Sequence, residues 1–240
     1  MKQNRRQFLR LAGTATAAFA VGGLPLAAGG AGEKLKIGII GSGRVGGTLG
    51  GVWVKAGHEV MFSSRTLEND KKLAASLGHN ARAGTPREAA AFGAVLLISV
   101  PYRSLPDVGK ELGNLVKDKI VIDTCNPIPS RDGEIATKAR EKGAGLASAE
   151  LLPGARLVRA FNAVSWVRMG AVHEEPGRVG MPIAGDDARA VELASRLVRD
   201  IGFEPVLVGG LAMGRFLMPG TPLAGELAPA EIRKIAATLK

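Results

Sequence analysis

At 240 residues the chain is long enough to bury one sizeable core and too short for two large domains. Its 46% hydrophobic residues, 33 glycines and 4% aromatics suit an α/β protein with many tight strand-to-helix turns, and exclude a coiled coil or a disordered tail. The net charge of +10 is not a nucleic-acid signal: Lys2, Arg5, Arg6 and Arg10 carry four of those charges, the rest are scattered, and no basic run is interleaved with aromatics. The single cysteine, Cys125, excludes an intramolecular disulfide and a multi-cysteine metal site. His58, His79 and His173 are far apart in sequence and read as surface or turn residues, so no metal site is expected.

The chain opens with Asn4-Arg5-Arg6-Gln7-Phe8-Leu9-Arg10, then an uncharged Ala/Gly/Thr-rich stretch over residues 11–28 and a small-residue run over residues 29–32. This order resembles a twin-arginine export signal, with Asn4 where Ser or Thr is usual and Arg10 in place of Lys. The resemblance implies the export machinery as a partner and a periplasmic location, with cleavage between Ala28 and Gly32 or, without cleavage, a membrane anchor. The expected organisation is a signal over residues 1–32, a nucleotide-binding domain over 33–208 and a small C-terminal extension over 209–240.

Lys36-Ile37-Gly38-Ile39-Ile40 reads as a buried parallel strand running into Gly41-Ser42-Gly43-Arg44-Val45-Gly46, a G-x-G-x-x-G turn that opens a helix. In that context Gly41 permits the tight turn, Gly43 lets the backbone approach a pyrophosphate, and Gly46 lets the helix pack on the strand. The phosphates are expected at the helix start, where unpaired N–H groups and the helix dipole favour negative charge. Residues 59–62 read as the second strand, ending at Ser63-Ser64-Arg65, where a site for NAD usually carries an acid. Two hydroxyls and a guanidinium instead suit a 2′-phosphate, so NADP is expected over NAD. Lys71 and Lys72 on the following helix read as a solvated pair.

Residues 94–100 and 119–123 are apolar runs that read as central parallel strands, each followed by proline, in Val100-Pro101-Tyr102 and Cys125-Asn126-Pro127. Val100, Pro101, Tyr102, Asn126 and Pro127 are the candidates for the nicotinamide-ribose end, because strand carboxyl ends face the ligand crevice in such folds. Residues 156–161, 178–184 and 204–208 supply later strands, with an amphipathic helix over 187–201 capped by Asp186 and a closing helix over 228–240 with Pro229 in its first turn. The fold class expected is α/β, a Rossmann-type doubly wound and mostly parallel sheet.

The series GSGRVGG, SSR, ISVPY, DTCNPI, LLPGARLVRAFNAVS, AGDDARA and PGTPLAG, in this order across residues 36–226, resembles the family of coenzyme F420-dependent NADP oxidoreductases. The resemblance implies NADP held in the crevice and hydride transfer between its nicotinamide and a flat deazaflavin. It also implies that Ser64 and Arg65 take the 2′-phosphate, that Gly41, Ser42, Gly43, Arg44 and Val45 take the pyrophosphate, and that Val100 and Pro101 lie by the nicotinamide. Asn162, followed by Ala163, would face the second substrate, which stays open between F420, a flavin, a quinone-like acceptor and a ferric chelate.

Hydride transfer between two cofactors needs little acid–base machinery, and no Ser-His-Asp order, paired carboxylates or isolated lysine stands out here. Asp123 reads as a strand-end hydrogen-bonding group and Cys125 as a buried small residue. Two other readings stay open: a reductase of a small organic substrate, disfavoured by the lack of a large helical C-terminal domain, and a nucleotide-binding sensor or assembly subunit without turnover. A homodimer is compatible with either.

Overall fold

A computed structural model describes residues 33–239; the arginine-bearing leader, with its predicted cleavage region, lies outside the described residues. The first half alternates strand and helix: β1 (Lys36–Ile40), α1 (Arg44–Lys55), β2 (Glu59–Ser63), α2 (Leu67–Leu77), β3 (Ala81–Ala83), α3 (Pro86–Phe92) and β4 (Val95–Ile98). A 3-10 turn over Tyr102–Ser104 then leads into α4 (Leu105–Leu112), and β5 (Ile120–Asp123) follows. Three short helices, α5 (Pro129–Asp132), α6 (Glu134–Lys142) and α7 (Ala144–Leu151), precede β6 (Arg156–Arg159). The last part runs α8 (Trp166–Ala171), β7 (Gly180–Gly185), α9 (Ala188–Ile201), β8 (Glu204–Gly209), a 3-10 segment over Leu211–Phe216, and α10 (Pro229–Ala236).

The eight strands form one sheet in the order β3-β2-β1-β4-β5-β6-β7-β8. Every neighbouring pair is parallel except β6 with β7, which is antiparallel. Chain order reverses between β1 and β4, whose carboxyl ends pair as Ile40 with Ile98, and a crevice opens at such a reversal. Alternation along each central strand feeds two cores. Ile37, Ile39, Leu97 and Ile122 face one side with Trp53 and Phe203, while Ile40, Leu96, Ile98 and Val121 face the other with Tyr102 and Leu112. A third cluster joins Ala184 and Val206 to Leu217, Leu223 and Ile232, so the segment after β8 packs on the last two strands.

Three local expectations are corrected. Helix α9 is capped by Asp187, whose carboxylate accepts the Ala190 N–H at 2.8 Å, whereas Asp186 accepts the Leu211 N–H at 3.0 Å and so ties the sheet to the segment beyond β8. His58 is a buried residue and not a surface one: Nδ1 accepts the Leu35 N–H at 3.1 Å, which puts the proton on Nε2, 2.9 Å from Asp200. Helix α10 ends at Ala236, short of residue 240.

Candidate functional site: a dinucleotide cleft at the sheet reversal

The first turn after β1 is held from outside by β2. Gly41 N–H and Ser42 N–H both donate to the Ser63 carbonyl, at 2.8 and 3.0 Å, and Gly41 sits at φ +101°, a left-handed conformation that a side chain resists. The next two glycines do different work. A Cβ on Gly46 would lie 2.1 Å from the Gly41 carbonyl, so this residue is bare to let α1 rest on the turn. A Cβ on Gly43 would meet nothing within 4 Å, so that residue is bare because of what the cleft receives. Helix α1 begins there with no side-chain cap and no acidic residue in its first turn. Unpaired N–H groups of a helix start, open to a space with no protein atom in it, fit a pyrophosphate.

The cleft itself has a volume of about 490 Å³ and runs from Gly41 and Gly43 past Ser64 and Arg65 to Ser99, Val100 and Pro101. Its far wall is Pro86, Arg103, Ser104, Val108 and Glu111, none of which stands out in the sequence. Pro86 is placed by a capping box at the start of α3: Thr85 N–H donates to Glu88 Oε2 at 2.7 Å while Glu88 N–H donates to the Thr85 hydroxyl at 3.2 Å. Arg103 and Ser104 are presented by the 3-10 turn that follows Pro101.

Arg65 is exposed and has no hydrogen bond or ion pair with the other described residues, which leaves its guanidinium open to an anion. Arg44, at the first position of α1, lies 5.6 Å over the Trp166 ring, which steadies a second cation beside the open N–H groups. Val45 packs its side chain on the core and has only its backbone to offer.

Several predicted residues turn away from the cleft. Ser63 is fully buried and its hydroxyl donates to the Ile39 carbonyl at 2.6 Å, so it shapes the turn through its own carbonyl and has no hydroxyl to give a phosphate. Tyr102 is fully buried in the core beneath the cleft, and Ser148 donates to its phenol oxygen at 3.5 Å; burial pushes its pKa up to about 12. A proline-led 3-10 turn rotates the side chain inward here, which the apolar run before it does not reveal. Pro127 is buried, with its carbonyl accepting from Arg140 at 3.3 Å, and Ala163 is buried with its carbonyl accepting the Gly225 N–H at 2.9 Å.

Asn126 and Asn162 form a cluster just beyond Val100, whose N–H donates to Cys125 Sγ at 3.4 Å. Asn126 Nδ2 donates to the Asn162 carbonyl at 2.8 Å, and Asn162 Nδ2 reaches Asn126 Oδ1 at 3.4 Å. Asn162 Oδ1 is buried without a partner among the described residues. Behind the pair lies a group that sequence reasoning missed. Arg159, fully buried, donates to Asp123 Oδ2 at 2.6 Å and to the Cys125 carbonyl at 3.1 Å, and reaches Asn126 Oδ1 at 3.3 Å. Asp123 is also fully buried and accepts the Cys125 N–H at 2.7 Å, so the ion pair braces the backbone between β5 and Asn126. The Cys125 thiol is pushed well above its ordinary pKa, by burial first and then by Asp123, and is therefore a poor nucleophile.

A mostly parallel sheet with a glycine-lined turn at its reversal point, and an arginine without a partner among the described residues at the end of the second strand, defines a Rossmann-type dinucleotide-binding fold. Comparison with known proteins agrees. Residues 36–127 match the family model described as NADP oxidoreductase, coenzyme F420-dependent. Over 203 residues the chain is 30% identical to the F420-dependent NADP reductase of Methanothermobacter thermautotrophicus, covering 79% of this chain and 87% of that one. Over 187 residues it is also 30% identical to the metalloreductase STEAP3 of Rattus norvegicus, covering 76% of this chain and only 36% of that longer protein. Among solved structures, a hypothetical protein from Sinorhizobium meliloti aligns with a TM-score of 0.66 at 25% identity, over 80% of this chain and 93% of that one. The chain belongs to the F420-dependent NADP oxidoreductase family, and it is an NADP-dependent oxidoreductase.

Proposed function

We propose that the chain passes a hydride between NADP(H) and a flat second acceptor, a deazaflavin of the F420 type or a flavin, in an exported compartment. The observation that carries the reading is the chemistry of the cleft's inner end. Ser99, Val100 and Pro101 line that end without an ionisable side chain, and the groups behind them, next to Asn126 and Asn162, are either buried and paired, as Asp123 and Arg159 are, or held protonated, as Tyr102 and Cys125 are; the cleft's ionisable side chains are Arg65, Arg103 and Glu111, away from that end. The surface at Ser99, Val100 and Pro101 can orient a ring and exclude water but presents no ready acid of its own. Transfer between two cofactors needs only alignment of that kind, whereas reduction of an imine or a carbonyl also needs a proton donor.

Bound NADPH would supply the hydride; Gly43 would hold its pyrophosphate and Arg65 its 2′-phosphate. A ferric chelate accepts single electrons, so its reduction by this chain would run through a flavin rather than directly from the nicotinamide. The similarity to a metalloreductase motivates including it in the test. Purified protein is offered NADPH with F420, FMN, FAD and a ferric chelate in turn, and each acceptor again with NADH for comparison. Turnover with the deazaflavin or a flavin supports the proposal. Tight NADPH binding without turnover on any of them favours a sensor or assembly subunit.

Export rests on the Arg5-Arg6 leader. Fractionation of cells producing the full chain tests it: the product is expected in the periplasm, and the Arg5→Lys, Arg6→Lys variant is expected to stay in the cytoplasm.

A further inference from the structure

Ser63-Ser64-Arg65 at the end of β2 contains no acid, but the fold supplies one from the next helix. Asp70, on the first turns of α2, is fully buried. Its Oδ1 accepts from the Ser42 hydroxyl, and its Oδ2 accepts from the Ser64 hydroxyl at 2.9 Å. Ser64 also accepts the Thr66 N–H at 3.2 Å. A carboxylate only accepts, so the Ser42 proton points at Asp70, and the Ser64 proton points at Asp70 in the shorter of its two bonds, the Thr66 carbonyl lying at 3.4 Å; neither is aimed into the cleft. A phosphate likewise only accepts. Since the Ser63 hydroxyl is engaged by Ile39, Arg65 is the one side chain of Ser63-Ser64-Arg65 that is free to donate to a 2′-phosphate.

We propose that Asp70 is a specificity-determining residue that holds down the preference of this site for the 2′-phosphorylated nucleotide. It acts in two ways. It keeps the Ser64 proton, leaving the hydroxyl to present a lone pair suited to the 2′-OH of an unphosphorylated ribose, and it places a negative charge one hydroxyl away from where Arg65 receives the phosphate. The residue sequence Ser64-Arg65 therefore overstates the selectivity that the folded pocket delivers, and NADH is a usable second nucleotide. The inference rests on the assignment of the 2′-phosphate to Ser64 and Arg65.

The test uses adenosine 2′,5′-bisphosphate and AMP, which differ only in the 2′-phosphate, titrated calorimetrically into the full chain. Asp70→Asn keeps one acceptor, gains a donor, and lets Ser64 turn its proton to the cleft. It is expected to raise the preference for the bisphosphate at least tenfold by tightening that ligand, with AMP changed less than twofold. An unchanged or smaller preference, or an equal loss of both ligands, overturns the proposal. Arg65→Ala, at an exposed position, asks the same question without touching the buried group: with the cation gone, the bisphosphate is expected to bind several-fold more weakly than AMP. A bisphosphate that still binds more tightly overturns the proposal independently. Neither titration involves an acceptor, so failure of the hydride-transfer reading leaves these affinities unchanged.

Discussion

Tyr102 is the sole tyrosine of the chain, and its environment can be read directly by ultraviolet titration. Burial raises its pKa to about 12, so the folded state holds the phenolic proton more tightly than the unfolded chain does. The sign follows: below the ordinary tyrosine value both states are protonated and stability is untouched. Between about 10 and 12 the unfolded state alone ionises, so stability falls as pH rises through that window. The phenolate absorbance of the folded protein is expected to emerge only toward pH 12, together with the loss of the fold; an exposed, cleft-facing tyrosine would titrate near 10 with the fold intact. Asp123 and Arg159 are the other residues whose surroundings decide their role. Both are fully buried, so removing one leaves an uncompensated charge. Asp123→Ala is expected to destabilise the protein by about 3 to 5 kcal/mol in denaturant titrations, and Asp123→Leu with Arg159→Met to recover most of that loss.

At the scale of the element, the β1–α1 turn separates fold from function within six residues. Gly43→Ala adds a methyl to open space and is expected to leave the unfolding free energy within about 0.5 kcal/mol of the parent while weakening NADPH binding. Gly46→Ala pushes the helix off the Gly41 carbonyl, where the added carbon would sit at 2.1 Å. It is expected to cost a few kcal/mol of stability, on the scale of an overpacked core, whether or not nucleotide is present. Parallel denaturation and binding curves on the two variants check the contrast. The strand-to-loop step after β6 shows a related device. Phe161 adopts φ +63°, an unfavourable conformation for a non-glycine residue, and is held there by edge-on packing between Trp53 and Phe203 at centroid distances of 6.0 and 6.4 Å. The turn it makes brings Asn162 against Asn126.

Across the whole molecule the cleft draws on the carboxyl ends of β1, β2 and β4 and on α3 and α4, so nucleotide binding couples to the stability of the sheet as a unit. At a hundredfold excess over its dissociation constant, NADPH is expected to stabilise the fold by about 2.7 kcal/mol. For a domain of this size that raises the melting temperature by about 5 to 10 °C, which a thermal scan with and without nucleotide measures. Local patterning made much of this molecule legible in advance. Continuous apolar runs marked the buried parallel strands, and the glycine spacing marked the tight turn that opens α1. These are properties of neighbouring residues, written in spacing and periodicity. What only the tertiary structure decided depends on residues far apart in the chain: Asp70 meeting Ser42, Arg159 meeting Asp123 and Asn126, Asp186 reaching Leu211, and His58 buried against Asp200. No local pattern encodes such pairs. The direction of a single side chain is equally out of reach, because Ser63 and Tyr102 face inward through a strand register and a 3-10 turn that are set by packing on the rest of the sheet.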